Sequence, residues 1–249
     1  MGTDLVSPVL FGIALGAAGV PLFNRIPASW LVDYDETPDE ERLSGSRIAT
    51  MPWTPIFVVI MAVVGALVAS RSQSIAESLV AVIAVWVLLI AAVSDAKYTI
   101  IPDQAVVALA ILGVVGALAR GLAGEGVVPE LLNSALGAIT GAGSFFLIGL
   151  VGSALAKRDA MGYGDIKLLA AVGLLVGFPG IVYVLALVVL VAGIVFMLLI
   201  LAKRLEIGQA TALGPYISLA TALFLVFSLE LQTMFSSYLA LFGNNGGIG

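Results

Sequence analysis

Two short stretches of this sequence place carboxylates where an apolar chain has little use for them: Ser94-Asp95-Ala96-Lys97-Tyr98-Thr99-Ile100-Ile101-Pro102-Asp103 and Met161-Gly162-Tyr163-Gly164-Asp165-Ile166-Lys167. Each acid abuts a long run without ionisable groups, and lipid cannot solvate a carboxylate, so such an acid faces a bundle interior or a water-filled cavity. The chain has no histidine and no cysteine, which removes imidazole bases, thiolate nucleophiles, thiolate metal sites and disulfides. Acid–base work near neutral pH then falls to carboxylates tuned by burial and by each other. Two held close cannot both ionise cheaply, so they share a proton; one can activate water while the other polarises or protonates a carbonyl. Asp95 and Asp165 are the candidate catalytic pair, the chemistry is that of aspartic peptide hydrolysis, and no metal is expected. Gly162 and Gly164 allow a tight turn and close approach of an extended substrate, and Pro102 biases Ile101 away from helix and marks where the chain restarts.

The elements that must bring the two acids together are membrane helices. Of the 249 residues 61% are hydrophobic and 11% charged, more apolar surface than one water-facing domain can bury. Runs such as 180–202 are apolar on every face, as a spanning helix requires and a barrel strand, with its polar alternation, does not. The fold class is an all-α polytopic bundle of about eight transmembrane helices, near 5–23, 53–70, 75–94, 104–120, 131–156, 165–178, 180–202 and 212–240. The sixth is short and parted from the seventh only by Phe178, Pro179 and Gly180, compatible with a tight turn or one kinked helix. Residues 1–249 read as one integral membrane domain, with 24–52 a cytoplasmic loop between the first two helices. The first apolar run lacks a basic flank and reads as a helix that stays, not as a cleaved signal.

An outside N-terminus places Arg25, Arg42, Arg47, Lys97, Lys157, Arg158, Lys167, Lys203 and Arg204 inside and only Arg71 and Arg120 outside, the asymmetry that positive-inside topology demands. Asp95 then ends the third span and Asp165 opens the sixth on the same, cytoplasmic, side. The loop acids Asp33, Asp35, Glu36, Asp39, Glu40 and Glu41 form a solvated patch or attract a basic substrate segment. Gly12, Gly16 and Gly19, with Gly137, Gly141 and Gly143, suit close helix packing, and Trp30, Trp53 and Tyr98 suit the lipid–water interface. Lipid is an expected partner and nucleic acid is not.

Asp95 with Pro102-Asp103 seven residues on, and Gly162-Tyr163-Gly164-Asp165-Ile166-Lys167, resemble the two motifs of the type IV prepilin peptidases, membrane aspartic proteases of the GxGD type. Leu213-Gly214-Pro215-Tyr216 is similar to that family's segment opening the last helix, and Phe23-Asn24-Arg25-Ile26-Pro27 to a shortened form of its motif after helix one. The resemblance implies a bacterial inner-membrane enzyme that cuts prepilin or pseudopilin substrates at the cytoplasmic face, after the glycine ending a basic leader. It implies Asp95 and Asp165 as the catalytic pair. Gly162, Gly164, Lys167, Pro102 and Asp103 are motif positions suited to positioning substrate, although Asp103 equally suits a helix cap or first-turn acid. Lys167 can meet an anionic group or snorkel to the interface. Many family members carry two Cys-x-x-Cys pairs in the first loop, associated with zinc, and methylate the new N-terminus with S-adenosylmethionine. The present loop has no cysteine, so that zinc site is excluded and the methylation is left undecided. A small cation or proton-coupled transporter is the alternative reading of the two acids.

Overall fold

A computed structural model describes residues 6–32, 47–72, 74–156, 162–204 and 211–243. The loop acids Asp33 to Glu41 with Arg42, the residues Lys157, Arg158 and Met161, and the final 244–249 lie outside the described residues. Those that are described form eight α-helices: α1 (Val6–Phe23), α2 (Thr50–Ala69), α3 (Ile75–Tyr98), α4 (Asp103–Arg120), α5 (Val127–Ala156), α6 (Tyr163–Val176), α7 (Gly180–Leu201) and α8 (Gly214–Gly243). Seven are long and apolar enough to cross a membrane; α6 is not. Its 14 residues extend about 21 Å at 1.5 Å each, short of a ~30 Å hydrocarbon core.

The short helix is the hub. It packs against α5, α4, α7 and α8, and its Leu168, Leu169 and Val172 are fully buried in a cluster with Leu88 of α3, Leu109 of α4, Ile181 and Val184 of α7 and Ile217 of α8. In lipid such packing rests on close approach more than on water exclusion. A Cβ on Gly173 of α6 would strike the Gly137 backbone of α5, and one on Gly141 would meet the Leu169 carbonyl oxygen at 2.5 Å. The same logic joins α1 to α2, where Gly12 lies on the Met61 carbonyl and Gly16 on the backbone of Phe57 and Val58. Gly143 has nothing within 4 Å, so the packing role expected for it is not borne out: it sits on an open face of α5.

Helix ends explain where the expected boundaries shift. The α3 helix runs to Tyr98, beyond the boundary at 94, because Asp95 and Lys97 are accommodated in its last turn and Thr99, at φ 55 and ψ 31, terminates it. The α5 helix starts at Val127 instead of 131. Glu130, a charge that ordinarily marks a span end, is buried there and paired with Arg120 at 2.8 Å. Between α6 and α7 the chain makes a tight turn at Gly177 (φ 66), read by Asn133 of α5, whose Oδ1 accepts the Phe178 N–H at 3.2 Å. The tight turn, not a continuous kinked helix, is therefore the connection.

The first loop is fastened at its return. The Asn24 side chain donates to the Ile48 carbonyl at 2.9 Å and accepts from the Ile48 N–H at 3.0 Å, pairing with that backbone as a strand would. Ile48 is buried beside Val20, Phe23, Phe57 and Ile90, and Tyr98 stacks on Phe23 with ring centroids 6.2 Å apart. Tyr98, expected as an interface anchor, thus also ties the end of α3 to the end of α1.

Candidate active site

Three helix ends build the site. Asp95 lies in the last turn of α3 and is 5% exposed, buried although ionisable, so its position is set by packing. Ser94 beside it donates to the Ile100 carbonyl at 2.8 Å. Together with the Thr99 N–H donating to the Asp95 carbonyl at 2.8 Å, this fixes the turn that leads from α3 to Pro102. That proline caps α4 in extended conformation (φ −60, ψ 129), its missing N–H costing nothing at a helix start. Asp165 enters from α6, in the first turn after the N-cap Gly162, where unpaired N–H groups and the helix dipole favour a carboxylate. Asp165 lies within electrostatic reach of Asp95.

The third helix end was not assigned a role from the sequence. The Gly214 N–H, opening α8, donates to Asp95 Oδ2 at 2.7 Å, a short bond of the charge-assisted kind. The signal for it was present in Leu213-Gly214-Pro215-Tyr216, but nothing in a sequence says which backbone group will face which acid.

The remaining motif residues divide. Gly162 and Gly164 border the acids with room to spare: a Cβ on Gly162 would lie 3.5 Å from Asp165 Oδ2, and one on Gly164 3.6 Å from the Ile101 side chain. Asp103 occupies the first turn of α4, as the first-turn alternative has it, while Pro102 holds the N-cap. Lys167 Nζ pairs with it across to α6 at 3.0 Å. Both side chains are half exposed, at 43% for Lys167 and 46% for Asp103, so the pair is a solvated bracket between the starts of α4 and α6. Among the described residues no group of three or more potential metal ligands is gathered.

Residues 82–198, from the middle of α3 through most of α7, match the type IV leader peptidase family. The match takes in 117 of the 249 residues. The chain's relatives include proteins named prepilin leader peptidase/N-methyltransferase from three organisms. That of Aeromonas salmonicida is 30% identical over 179 residues, 72% of this chain and 60% of the relative. That of Dichelobacter nodosus is 27% identical over 158 residues, 64% and 52% of the two chains, and that of Dickeya chrysanthemi 34% over 138 residues, 54% and 46%. The chain thus spans about half the length of the curated relatives it matches. No solved structure matches it. The family segment contains both Asp95 and Asp165 and the bracket from Asp103 to Lys167, whereas Asn24 and Gly214 lie outside it.

Proposed function

We propose that this multi-pass membrane protein is an aspartic endopeptidase that removes the leader from type IV prepilin-like proteins. The observation that carries the reading is the placement of Asp95 in the last turn of α3 and Asp165 in the first turn of α6, within electrostatic reach of each other and with the glycine-flanked backbone of 162–164 beside Asp165. One carboxylate takes a proton from water, whose oxygen attacks the scissile carbonyl carbon, while the other carboxyl gives its proton to the carbonyl oxygen. Collapse of the tetrahedral diol breaks the C–N bond, and the amine leaves with a proton from the dyad. The chain's own residues supply each of these steps.

The substrate class follows from the family and from the names of the relatives: a prepilin or pseudopilin whose basic leader precedes a hydrophobic helix. The site then belongs at the cytoplasmic face of a bacterial inner membrane, with the N-terminus outside. The nine-to-two distribution of Lys and Arg between the two faces supports that orientation. The proposal covers hydrolysis; methyl transfer from S-adenosylmethionine, part of the relatives' names, is an extension to be tested. The family match over residues 82–198 favours the peptidase over the transporter reading.

The test is cleavage of candidate prepilins by the protein in membranes, followed by product mass. Asp95→Asn and Asp165→Asn should each lower the rate by roughly 10²- to 10⁴-fold or more, the range for loss of acid–base catalysis, with the fold retained. A product heavier by one methyl group on addition of S-adenosylmethionine would add the second activity. Cleavage indifferent to both substitutions would sink the dyad.

A further inference from the structure

Asp95 is held by a backbone group that the catalytic motifs do not contain. The start of α8 offers few donors. Pro215 has no N–H, and the Tyr216 and Ile217 N–H groups already donate to the Leu213 carbonyl at 3.0 and 3.1 Å. The N–H of Gly214, left over as first-turn donors are, points at Asp95 Oδ2 from 2.7 Å. The same residue leaves no slack. A Cβ at position 214 would stand 2.7 Å from Asp95 Oδ2 and 3.0 Å from its Cβ and Cγ, too close for any side chain but hydrogen. Asp95 itself is buried, as are Ala91 and Ser94 on the same helix end, so the carboxylate has little room to give way.

We propose that Gly214 is a positioning residue for the dyad: its N–H fixes one oxygen of Asp95, and its lack of a side chain sets how near α8 comes, so that the other oxygen is presented to Asp165 and the substrate. This rests on the peptidase reading for its catalytic consequence, but not for the contact itself. With Oδ2 engaged by a donor that cannot turn, the orientation of the carboxyl plane is fixed before substrate arrives, which is how a supporting shell raises the rate of a catalytic group it does not replace.

The experiment has two arms. In the first, Gly214 is replaced by glycolic acid, which puts an ester oxygen where the N–H stands and adds no bulk, alongside Gly214→Ala, which keeps the N–H and adds the methyl. Gly143→Ala, on an open helix face, is the control. Losing a hydrogen bond to a charged acceptor should lower kcat by roughly ten- to hundredfold, with KM little changed and the pH–rate profile displaced. A loss of folded protein would instead scale the rate equally at every pH and leave the profile's shape alone. In the second arm, the Gly214 amide of ¹⁵N-glycine-labelled protein, identified by its disappearance in Gly214→Ala, should resonate downfield and move in Asp95→Asn. An ester variant with the wild-type rate and profile would overturn the positioning role, and so would an amide shift indifferent to Asp95→Asn. Failure of the wild-type protein to cleave any prepilin would overturn the peptidase reading instead, and the amide shift would still decide whether Gly214 holds Asp95.

Discussion

Gly164→Ala separates what the fold needs from what a substrate needs. Gly164 is the second residue of α6, and the added methyl would meet only Ile101 side-chain atoms at 3.6 to 3.8 Å, ordinary van der Waals contact. Alanine is the better helix former by about 1 kcal/mol in a helix interior and less in a first turn, and it restricts the unfolded chain by about 0.4–1 kcal/mol. The variant is therefore expected to be as stable as the parent or about 0.5–1 kcal/mol more so, a rise of roughly 2 °C in melting temperature for a chain of this size. A substrate strand laid against the backbone of residues 162–164 would meet the methyl, however, and displacement of the scissile bond by about 1 Å costs on the order of 10²-fold in rate. The signature is thus higher stability with kcat/KM for prepilin lowered at least tenfold. Thermal unfolding in detergent and peptide-release kinetics read the two quantities. Gly173→Ala gives the opposite case: its methyl lands on the Gly137 backbone, and stability should fall. If Gly164→Ala cleaves within twofold of the parent, the substrate does not approach this backbone. If it melts lower, the glycine belongs to the fold and the reasoning fails.

Two further perturbations probe what holds the site. Lys167→Ala breaks the bracket to Asp103; because that pair is half exposed, stability should change by less than ~1 kcal/mol, while cleavage falls and the effect of Asp103→Ala becomes smaller in the Lys167→Ala background. Additive effects on rate in that double-mutant cycle would show that the two residues act separately. Asn24→Ala leaves the N–H and carbonyl of buried Ile48 without their side-chain partner, a cost of about 1–3 kcal/mol. Trypsin should then cut faster at Arg25 or Arg47 in vesicles exposing that face, and an unchanged digestion rate would remove the loop-fastening role.

The spans were legible because charge and proline punctuate a lipid-solvated chain, and the errors came where punctuation was neutralised. Glu130 did not end a helix because Arg120 pairs with it, and Asp95 and Lys97 did not end α3 because its last turn holds them. The acids themselves stood out against apolar runs, so Asp95 and Asp165 could be named as a pair before any fold was known. Gly214 could not be, since a backbone N–H leaves no mark of its own in a sequence; nor could the pairing of Asn24 with Ile48 across 24 positions. The partner of Lys167 was equally hidden, because Asp103 lies 64 residues away and only the packing of α6 against α4 brings the two together.

The short α6 helix brings Asp165 to the site in its first turn. The α6 and α7 helices meet at the turn around Gly177. With 14 residues against 22, α6 is about 12 Å shorter than α7 at 1.5 Å per residue. Asp165 stands in the first turn of this short helix, and Asp95 in the last turn of α3. Asp95 is buried there among packed helices, where unpaired polar groups are costly. The helix ends that meet here consequently serve one another: the first free N–H of α8 satisfies Asp95, and the turn after α3 is closed by Ser94. Electrostatic interaction between two acids is stronger in such a setting than at a surface, which favours a shared proton over two separate charges.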